Sequence, residues 1–192
     1  MKETGLFFGS FNPIHVGHMV LANYMLEFTD MEELWFVVSP HNPLKEKSGL
    51  LDVRHRIQMV DLAIGENPRM KSSSIETKLP QPSYTVNTLA HLGEKYPNHT
   101  FSLIMGSDNL ENFHKWKNYE EILRRHRLYI YPRPGYSGGH LLSHKSVKMT
   151  QAPLMEISST FIREGIRNKH NLEHFLGSRV WDYLTEMNFY KK

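Results

Sequence analysis

The segment from residue 5 to residue 28 constrains the fold of this chain more than any other. An apolar run, Gly5-Leu6-Phe7-Phe8, is followed by Gly-Ser-Phe-Asn-Pro-Ile-His-Val-Gly-His at positions 9–18 and then by a helix-like segment that continues to Phe28. This order predicts a strand, a turn of small residues and a helix. The free N–H groups at the start of such a helix, together with its dipole, favour an anion. His15 and His18 are three residues apart, so they share one face of the first helical turn.

Strand and helix patterns alternate along the rest of the chain. Strands are predicted at 4–8, 33–38, 70–75, 100–105 and 127–131, and helices at 16–28, 52–64, 85–96, 119–125, 159–167 and 178–187. Such alternation is typical of an α/β protein with a doubly wound, Rossmann-like fold, in which helices cover both faces of a mainly parallel sheet. Ligands bind such sheets at the carboxyl edge, where the strand order reverses. Segments 39–51 and 132–144 are predicted to be loops because they contain proline or glycine residues, which interrupt helices and strands.

Composition and length narrow the class of protein. A chain of 192 residues with 40% hydrophobic and 22% charged residues fits one globular domain spanning 1–192. Its 23 basic and 20 acidic residues form no long run of one sign, which argues against a nucleic-acid-binding surface. With no cysteine, disulfides and thiol catalysis are excluded. The absence of a signal-peptide pattern and of any apolar run long enough to span a bilayer predicts a cytoplasmic protein without a membrane partner.

A metal centre at the paired histidines is not expected. The residue after His15 is valine rather than the glutamate of the metalloprotease pattern, and the chain has no cysteine to complete a tetrahedral zinc site. The histidine pair is therefore interpreted as a phosphate-binding feature.

A second motif, Ile157-Ser158-Ser159-Thr160-Phe161-Ile162-Arg163, lies near the C-terminal end. Ser158 or Ser159 can cap a helix whose first turn offers free N–H groups and hydroxyls. Arg163 follows one turn later with a planar, always charged guanidinium that suits phosphate. Alone, this motif indicates an ordinary capped helix with a surface arginine. Paired with the first motif, it favours a phosphate-binding role.

Together, the two motifs resemble the signature of the nucleotidyltransferases that carry His-x-Gly-His. Further segments are similar to the branch of bacterial nicotinate mononucleotide adenylyltransferases: Ser83-Tyr84-Thr85-x-x-Thr88-Leu89, Gly106-Ser107-Asp108, Lys115-Trp116 and the arginine of Pro132-Arg133-Pro134-Gly135. The chain departs from that branch at Asn12, where aspartate is usual, at Leu44, where histidine commonly precedes the lysine, and at Lys117, where an aromatic residue is frequent.

The resemblance implies transfer of AMP from ATP to nicotinate mononucleotide, giving nicotinate adenine dinucleotide and pyrophosphate. It implies His15, His18 and Arg163 as catalytic residues. The implied ATP-binding residues are Gly9, Ser10, Phe11, His15, His18, Gly106, Asp108, Ser158, Ser159, Thr160 and Arg163. The implied pyridine-nucleotide-binding residues are Asn12, Lys45, Ser83, Tyr84, Thr85, Trp116, Lys117 and Arg133. Mg²⁺ is expected to arrive with ATP rather than at a protein metal site, and the helical part from about 157 to 192 is expected to complete the ATP site.

Several alternatives stay open at this point. Nicotinamide mononucleotide or phosphopantetheine could be the acceptor, and a nucleotide-sensing module could keep the fold without turnover. A pI near 9 leaves a nucleic-acid-binding protein as a weaker option. The sequence does not fix the oligomeric state, with a homo-oligomer possible, nor whether Trp116 stacks on a ligand or belongs to the core. Thr85 is interpreted both as a ligand contact and as a helix N-cap.

Overall fold

The computed structural model describes residues 1–40 and 49–191. It contains strands β1 (Lys2–Gly9), β2 (Glu33–Val38), β3 (Met70–Ser73), β4 (His99–Gly106), β5 (Leu128–Tyr131) and β6 (Val147–Met149). The α-helices are α1 (Val16–Phe28), α2 (Val53–Ile64), α3 (Thr85–Lys95), α4 (Ser107–Glu111), α5 (Tyr119–Arg125), α6 (Ser159–Arg167), α7 (Glu173–Leu176) and α8 (Ser178–Glu186). Short 3₁₀ turns lie at Ile75–Lys78, Phe113–Lys115 and His140–Ser143.

All six strands form one parallel sheet in the order β3-β2-β1-β4-β5-β6. Strands β1, β2 and β3 lie side by side in chain order, with β3 at one edge of the sheet. The next strand, β4, pairs with β1 on its other side. The order therefore reverses between β1 and β4, whose carboxyl ends are Gly9 and Gly106. A crevice opens at such a reversal because the connections leave to opposite faces of the sheet. The predicted doubly wound α/β fold is confirmed.

The core lies in two layers, one on each face of the sheet. Strand side chains alternate between the faces, so Phe36 and Val38 of β2 join one apolar cluster while Trp35 and Val37 join the other. All six residues of β2 are buried. This burial on both faces explains why the strand is nearly continuous in apolar residues.

Most element predictions are confirmed, and the errors have local causes. Asp52 caps α2 by accepting from the Arg54 N–H at 2.9 Å, and Gly65 follows the helix with φ 59°. The predicted strand 70–75 is wrong at its end, since a 3₁₀ turn begins at Ile75. Thr85 is not the cap of α3; Tyr84 occupies that position and makes no side-chain capping bond.

Three short elements escaped prediction: β6, α4 and α7. They have three, five and four residues, too few to display a hydrophobic period. Strand β6 is an edge strand that contains Lys148 and pairs on one side only. The prediction for Lys45 lies outside the described residues.

Candidate active site

A cleft at the carboxyl ends of β1 and β4 brings the predicted site residues together. It is lined by Gly9, Ser10, Phe11, Asn12, His15, His18, Ser83, Tyr84, Thr85, Asp108, Trp116, Lys117, Arg133, Ser158, Ser159, Thr160 and Arg163. Gly106 lies directly beneath it as the last residue of β4. Segments separated by as many as 150 residues thus meet at one edge of the sheet.

The loop after β1 is shaped by a close contact between Gly9 and Phe11. Phe11 has φ 45°, and its ring folds back so far that a Cβ on Gly9 would lie 2.7 Å from its Cζ. The ring packs against Phe36 and His18, with centroids 5.4 and 5.1 Å away. Glycine at position 9 is therefore required for this loop to turn into α1.

His15 and His18 form a stacked pair at the start of α1. Their ring centroids are 3.7 Å apart, and the His15 N–H donates to Nδ1 of His18 at 3.2 Å. A neutral His18 must then carry its own proton on Nε2. Nδ1 of His15 is buried and has no hydrogen-bond partner among residues 1–40 and 49–191. Burial, reinforced by the positive charge of Arg133, lowers the pKa of His15 to about 4, so this imidazole is neutral near pH 7.

Gly17 makes room for the His15 ring. A Cβ at position 17 would lie 3.1 Å from Nδ1 and 3.2 Å from Cε1 of His15. The glycine of the His-x-Gly-His motif therefore has a packing reason in this chain, because any side chain there would press on the imidazole.

The side chain of Asn12 joins the β1–α1 loop to two other segments, residues 49–51 and the C-terminal end of the described chain. Its carboxamide donates to the Gly49 carbonyl at 2.8 Å and accepts from the Leu51 N–H at 3.2 Å and the Tyr190 hydroxyl at 2.6 Å. These bonds occupy the side chain of a residue that the sequence assigns to the pyridine nucleotide. Asn12 still lines the cleft, and its role in ligand binding stays a prediction.

The second motif contacts the first directly. Ser158 caps α6 by accepting from the Phe161 N–H at 3.2 Å. The hydroxyl of Ser159 donates to the Pro13 carbonyl at 2.9 Å, and Nη1 of Arg163 donates to the Asn12 carbonyl at 2.8 Å. Both contacts anchor the first turn of α6 on the loop that precedes His15. A guanidinium and two imidazoles therefore line the same cleft.

Close packing also marks the end of β4. A Cβ on Gly106 would lie 2.9 Å from Cγ of Arg133 and 3.1 Å from the Tyr131 ring. Oδ1 of Asp108 is buried and accepts no hydrogen bond from any described residue, although Nε of Arg133 is 3.9 Å away. Arg133 also donates to the Met155 carbonyl at 3.2 Å. It thus lies beside Asp108, an ATP-assigned residue, in the cleft that Tyr84 and Trp116 also line.

Aromatic residues line the opposite wall of the cleft. Trp116 is half-buried and packs against Phe113 with centroids 5.0 Å apart, yet it also lines the cleft. It therefore belongs to the core on one side and to the cleft on the other. The ammonium of Lys117 lies 4.4 Å from the centre of the Tyr84 ring, a cation–π distance. A positive charge thus lies at this wall.

Two buried charged residues that support the cleft were missed from the sequence. Arg56, 1% exposed, donates to the carbonyls of Leu51, Ser10, Ser39 and Pro40 at 2.7–2.9 Å. A signal for it existed: Arg56 shares the buried face of α2 with Met59 and Val60.

The second of these residues is Glu76. It is 3% exposed and accepts from the Thr88 hydroxyl at 3.0 Å, which holds the 3₁₀ turn at Ile75–Lys78 against α3. No local pattern indicated this pair.

The described part of the chain contains no group of three histidine, cysteine or acidic side chains placed to hold a metal ion. Asp108 lines the cleft with a buried Oδ1 that has no hydrogen-bond partner among the described residues, and a single carboxylate fits Mg²⁺ that is held mainly by a ligand's own phosphate oxygens and water. Within residues 1–40 and 49–191, none of the helices is long and apolar enough to cross a membrane.

Comparisons with known proteins agree with this geometry. A family model described as cytidylyltransferase-like matches residues 6–165. The chain is 54% identical to a probable nicotinate-nucleotide adenylyltransferase of Flavobacterium psychrophilum, over 99% of this chain and 100% of the relative. It is 56% identical to a protein of the same name from Flavobacterium johnsoniae, with the same coverage.

Solved structures share the fold. A nicotinic acid mononucleotide adenylyltransferase of Plasmodium falciparum in complex with NaAD superposes with a TM-score of 0.81 at 18% identity, covering 100% of this chain and 98% of that one. A putative nicotinate-nucleotide adenylyltransferase from Vibrio parahaemolyticus gives a TM-score of 0.74 at 21% identity, covering 100% and 97%.

Proposed function

Because the chain belongs to the cytidylyltransferase-like family and to its nicotinate-nucleotide adenylyltransferases, we propose that it transfers AMP from ATP to nicotinate mononucleotide. The products are nicotinate adenine dinucleotide and pyrophosphate. The observation that carries the proposal is the bond from Arg163 to the Asn12 carbonyl at 2.8 Å, since it joins the two phosphate motifs in one cleft.

The reaction requires positioning and charge stabilisation more than covalent catalysis. A phosphate oxygen of nicotinate mononucleotide attacks the α-phosphorus of ATP. As that P–O bond forms, the bond from the α-phosphorus to the α–β bridging oxygen breaks, and pyrophosphate leaves with the electron pair. No enzyme nucleophile is needed. His15 and His18 hydrogen-bond the phosphates and stabilise charge at the bridging oxygen, while Arg163 holds anionic oxygens.

ATP is assigned to the side of the cleft formed by β4 and α6. Ser158, Ser159 and Thr160 supply hydroxyls and N–H groups at the start of α6, where the helix dipole favours phosphate. Asp108 has a buried, unsatisfied oxygen that suits a ribose hydroxyl, and the glycines at 9 and 106 let the nucleotide approach the backbone. Mg²⁺ bound to the triphosphate neutralises part of its charge.

Nicotinate mononucleotide is assigned to the wall that contains Ser83, Tyr84, Thr85, Trp116 and Lys117. An indole face suits stacking on a pyridine ring, and the positive charge of Lys117 favours an acid over an amide. The resemblance in sequence also assigns Asn12, Lys45 and Arg133 to this nucleotide. The position of Arg133 beside Asp108 favours instead a contact with phosphate between the two substrates.

We assign all of these groups to one domain spanning 1–192, with the helical part from about 157 completing the ATP site. The substrates are soluble nucleotides, which fits a cytoplasmic enzyme. A second candidate function, nucleotide sensing without turnover, has less support because a sensor does not require both imidazoles and Arg163 in one cleft.

A product assay tests the proposal. The purified chain is incubated with ATP and Mg²⁺ plus nicotinate mononucleotide, nicotinamide mononucleotide or phosphopantetheine, and products are separated by HPLC. Turnover is expected to be fastest with nicotinate mononucleotide. Faster turnover with another acceptor would reassign the substrate. Tight ATP binding with no pyrophosphate release from any acceptor would favour a sensor instead.

A further inference from the structure

Tyr190, two residues from the C-terminal end, is buried beneath the cleft. It is 8% exposed and belongs to the same apolar cluster as Phe11 and Ile14. Its backbone has φ 61°, a left-handed conformation that is uncommon for a tyrosine. Burial raises the pKa of Tyr190, so its hydroxyl keeps its proton near neutral pH and can act as a donor.

The Tyr190 hydroxyl has a defined partner in the first motif. It donates to Oδ1 of Asn12 at 2.6 Å, and the main-chain carbonyl of Asn12 accepts from Arg163 at 2.8 Å. Asn12 thus accepts a hydrogen bond from Tyr190 through its side chain and another from Arg163, the presumed triphosphate-binding arginine, through its backbone carbonyl. Tyr190 itself does not line the cleft, so it can act on substrates only through Asn12.

We propose that Tyr190 is a positioning residue for adenylyl transfer, which it supports by holding Asn12 where its carbonyl fixes Arg163 and where the loop leads into His15. The expected effect on the rate of adenylyl transfer rests on the proposed function, whereas the expected effect on the position of Asn12 does not. Loss of the Tyr190 hydroxyl removes one of the hydrogen bonds that hold the Asn12 side chain, so Asn12 and the Arg163 guanidinium that it binds can shift. A displacement of about 1 Å at a reacting group can lower the rate about 10²-fold.

Tyr183 provides a matched control on the neighbouring helix. Its hydroxyl also makes one hydrogen bond, 2.8 Å from Nδ1 of His55, and neither residue lines the cleft. Tyr190→Phe and Tyr183→Phe therefore remove the same atom and one hydrogen bond each, a buried bond at Tyr190 and a part-buried bond at Tyr183. A merely structural role for Tyr190 predicts similar effects of the two substitutions on every readout.

The first measurement is amide hydrogen exchange of the peptide 10–18 in the full chain without ligand. Tyr190→Phe is expected to speed exchange there, while Tyr183→Phe leaves it unchanged. Unchanged exchange in Tyr190→Phe would overturn the inference whether or not the chain has the proposed activity. If the wild type releases no pyrophosphate with any acceptor, the proposed function fails, and this measurement alone decides the role of Tyr190.

The second measurement is steady-state turnover with ATP and nicotinate mononucleotide. We expect Tyr190→Phe to lower kcat about tenfold with a thermal midpoint close to that of Tyr183→Phe, whose kcat changes less than about twofold. In an Arg163→Ala background, Tyr190→Phe should have a much smaller effect, because coupled residues are not additive. Equal effects in both backgrounds would overturn the proposed route through Arg163.

Discussion

The imidazole rings of His15 and His18 are stacked with their centroids 3.7 Å apart, yet they differ in environment. His15 is 5% exposed, and burial together with Arg133 lowers its pKa to about 4. Stacking two rings of which one is kept neutral avoids placing two adjacent positive charges at the start of a helix, where the dipole would oppose them.

This low pKa predicts acid sensitivity. An unfolded chain protonates His15 near pH 6.5, whereas the folded chain does not bind that proton until about pH 4. Stability therefore falls as the pH falls between these values, by about 3 kcal/mol in total at 1.36 kcal/mol per pKa unit. Urea unfolding at pH 7 and pH 4.5 measures how much the free energy of unfolding decreases in acid, and this decrease should be smaller for His15→Gln than for the wild type. The exposed His91 provides the control, since His91→Gln should show the same decrease as the wild type.

His18 is predicted to act on rate rather than on folding. Its Nδ1 accepts from the His15 backbone N–H, so a neutral ring carries its proton on Nε2 and can donate it to substrate. His18→Ala should lower kcat by about 10²–10³-fold, the usual loss for one electrostatic stabiliser, with the fold intact by circular dichroism. The same change at His91 should leave kcat unaltered, and an unaltered kcat in His18→Ala would remove this residue from the mechanism.

Gly17→Ala separates the packing of His15 from its chemistry. The new Cβ would approach Nδ1 of His15 to 3.1 Å, so the ring must move, and kcat should fall about tenfold or more. Alanine in a helix gains about 0.5–1 kcal/mol over glycine, which offsets the crowding, so the free energy of unfolding should change little.

Gly93 is the natural comparison for this substitution. It also lies within a helix, and a Cβ there meets no described atom within 4 Å. Gly93→Ala should therefore raise the free energy of unfolding by about 0.5–1 kcal/mol and leave kcat alone. A kcat for Gly17→Ala equal to that of Gly93→Ala would show that the His15 ring adjusts without cost.

Arg56 is predicted to be the most stability-sensitive charged residue near the cleft. Burial lowers its pKa, but an arginine remains charged. Arg56→Met leaves four carbonyls without their donor. Each buried unsatisfied group costs about 1–3 kcal/mol, so a loss of at least about 3 kcal/mol is expected in urea unfolding. Arg54→Met should leave the free energy of unfolding close to that of the wild type, because the ion pair of Arg54 with Asp52 is exposed to solvent.

The features that were predicted from the sequence are those set by residues close together in the chain, such as helix caps and the alternation of strands and helices. Asp52 was predicted as a cap, and so was Ser158 or Ser159, because a capping side chain and the N–H that it accepts from are only two or three residues apart; Ser158 is the cap in the structure. The parallel sheet followed from the alternation of strands and helices, but the position of β1 between β2 and β4 did not. The meeting of the two motifs was expected only because a resemblance supplied it; the residues themselves allow either motif to stand alone.

What the sequence did not predict are the contacts between segments far apart in the chain. Tyr190 follows the last predicted helix, and its partner Asn12 is 178 residues away. The spacing of Arg56 with Met59 and Val60 places it on the buried face of α2, but the four carbonyls that it holds come from other segments. The placement of Arg133 beside Asp108 depends on the ends of two strands, and no spacing along the chain encodes that distance.

The bond from Ser159 to the Pro13 carbonyl has a consequence for how the protein becomes active during synthesis. All six strands lie before residue 150, so a ribosome that has released that much chain has supplied the whole sheet and both imidazoles. The Arg163 guanidinium that lines the cleft, and Tyr190 beneath it, emerge only afterwards. Premature termination in the last fifth of the message would therefore yield a complete sheet that lacks the serine–arginine motif assigned to the triphosphate and also lacks core side chains such as Ile162, Leu176 and Leu184, which cover one of its faces.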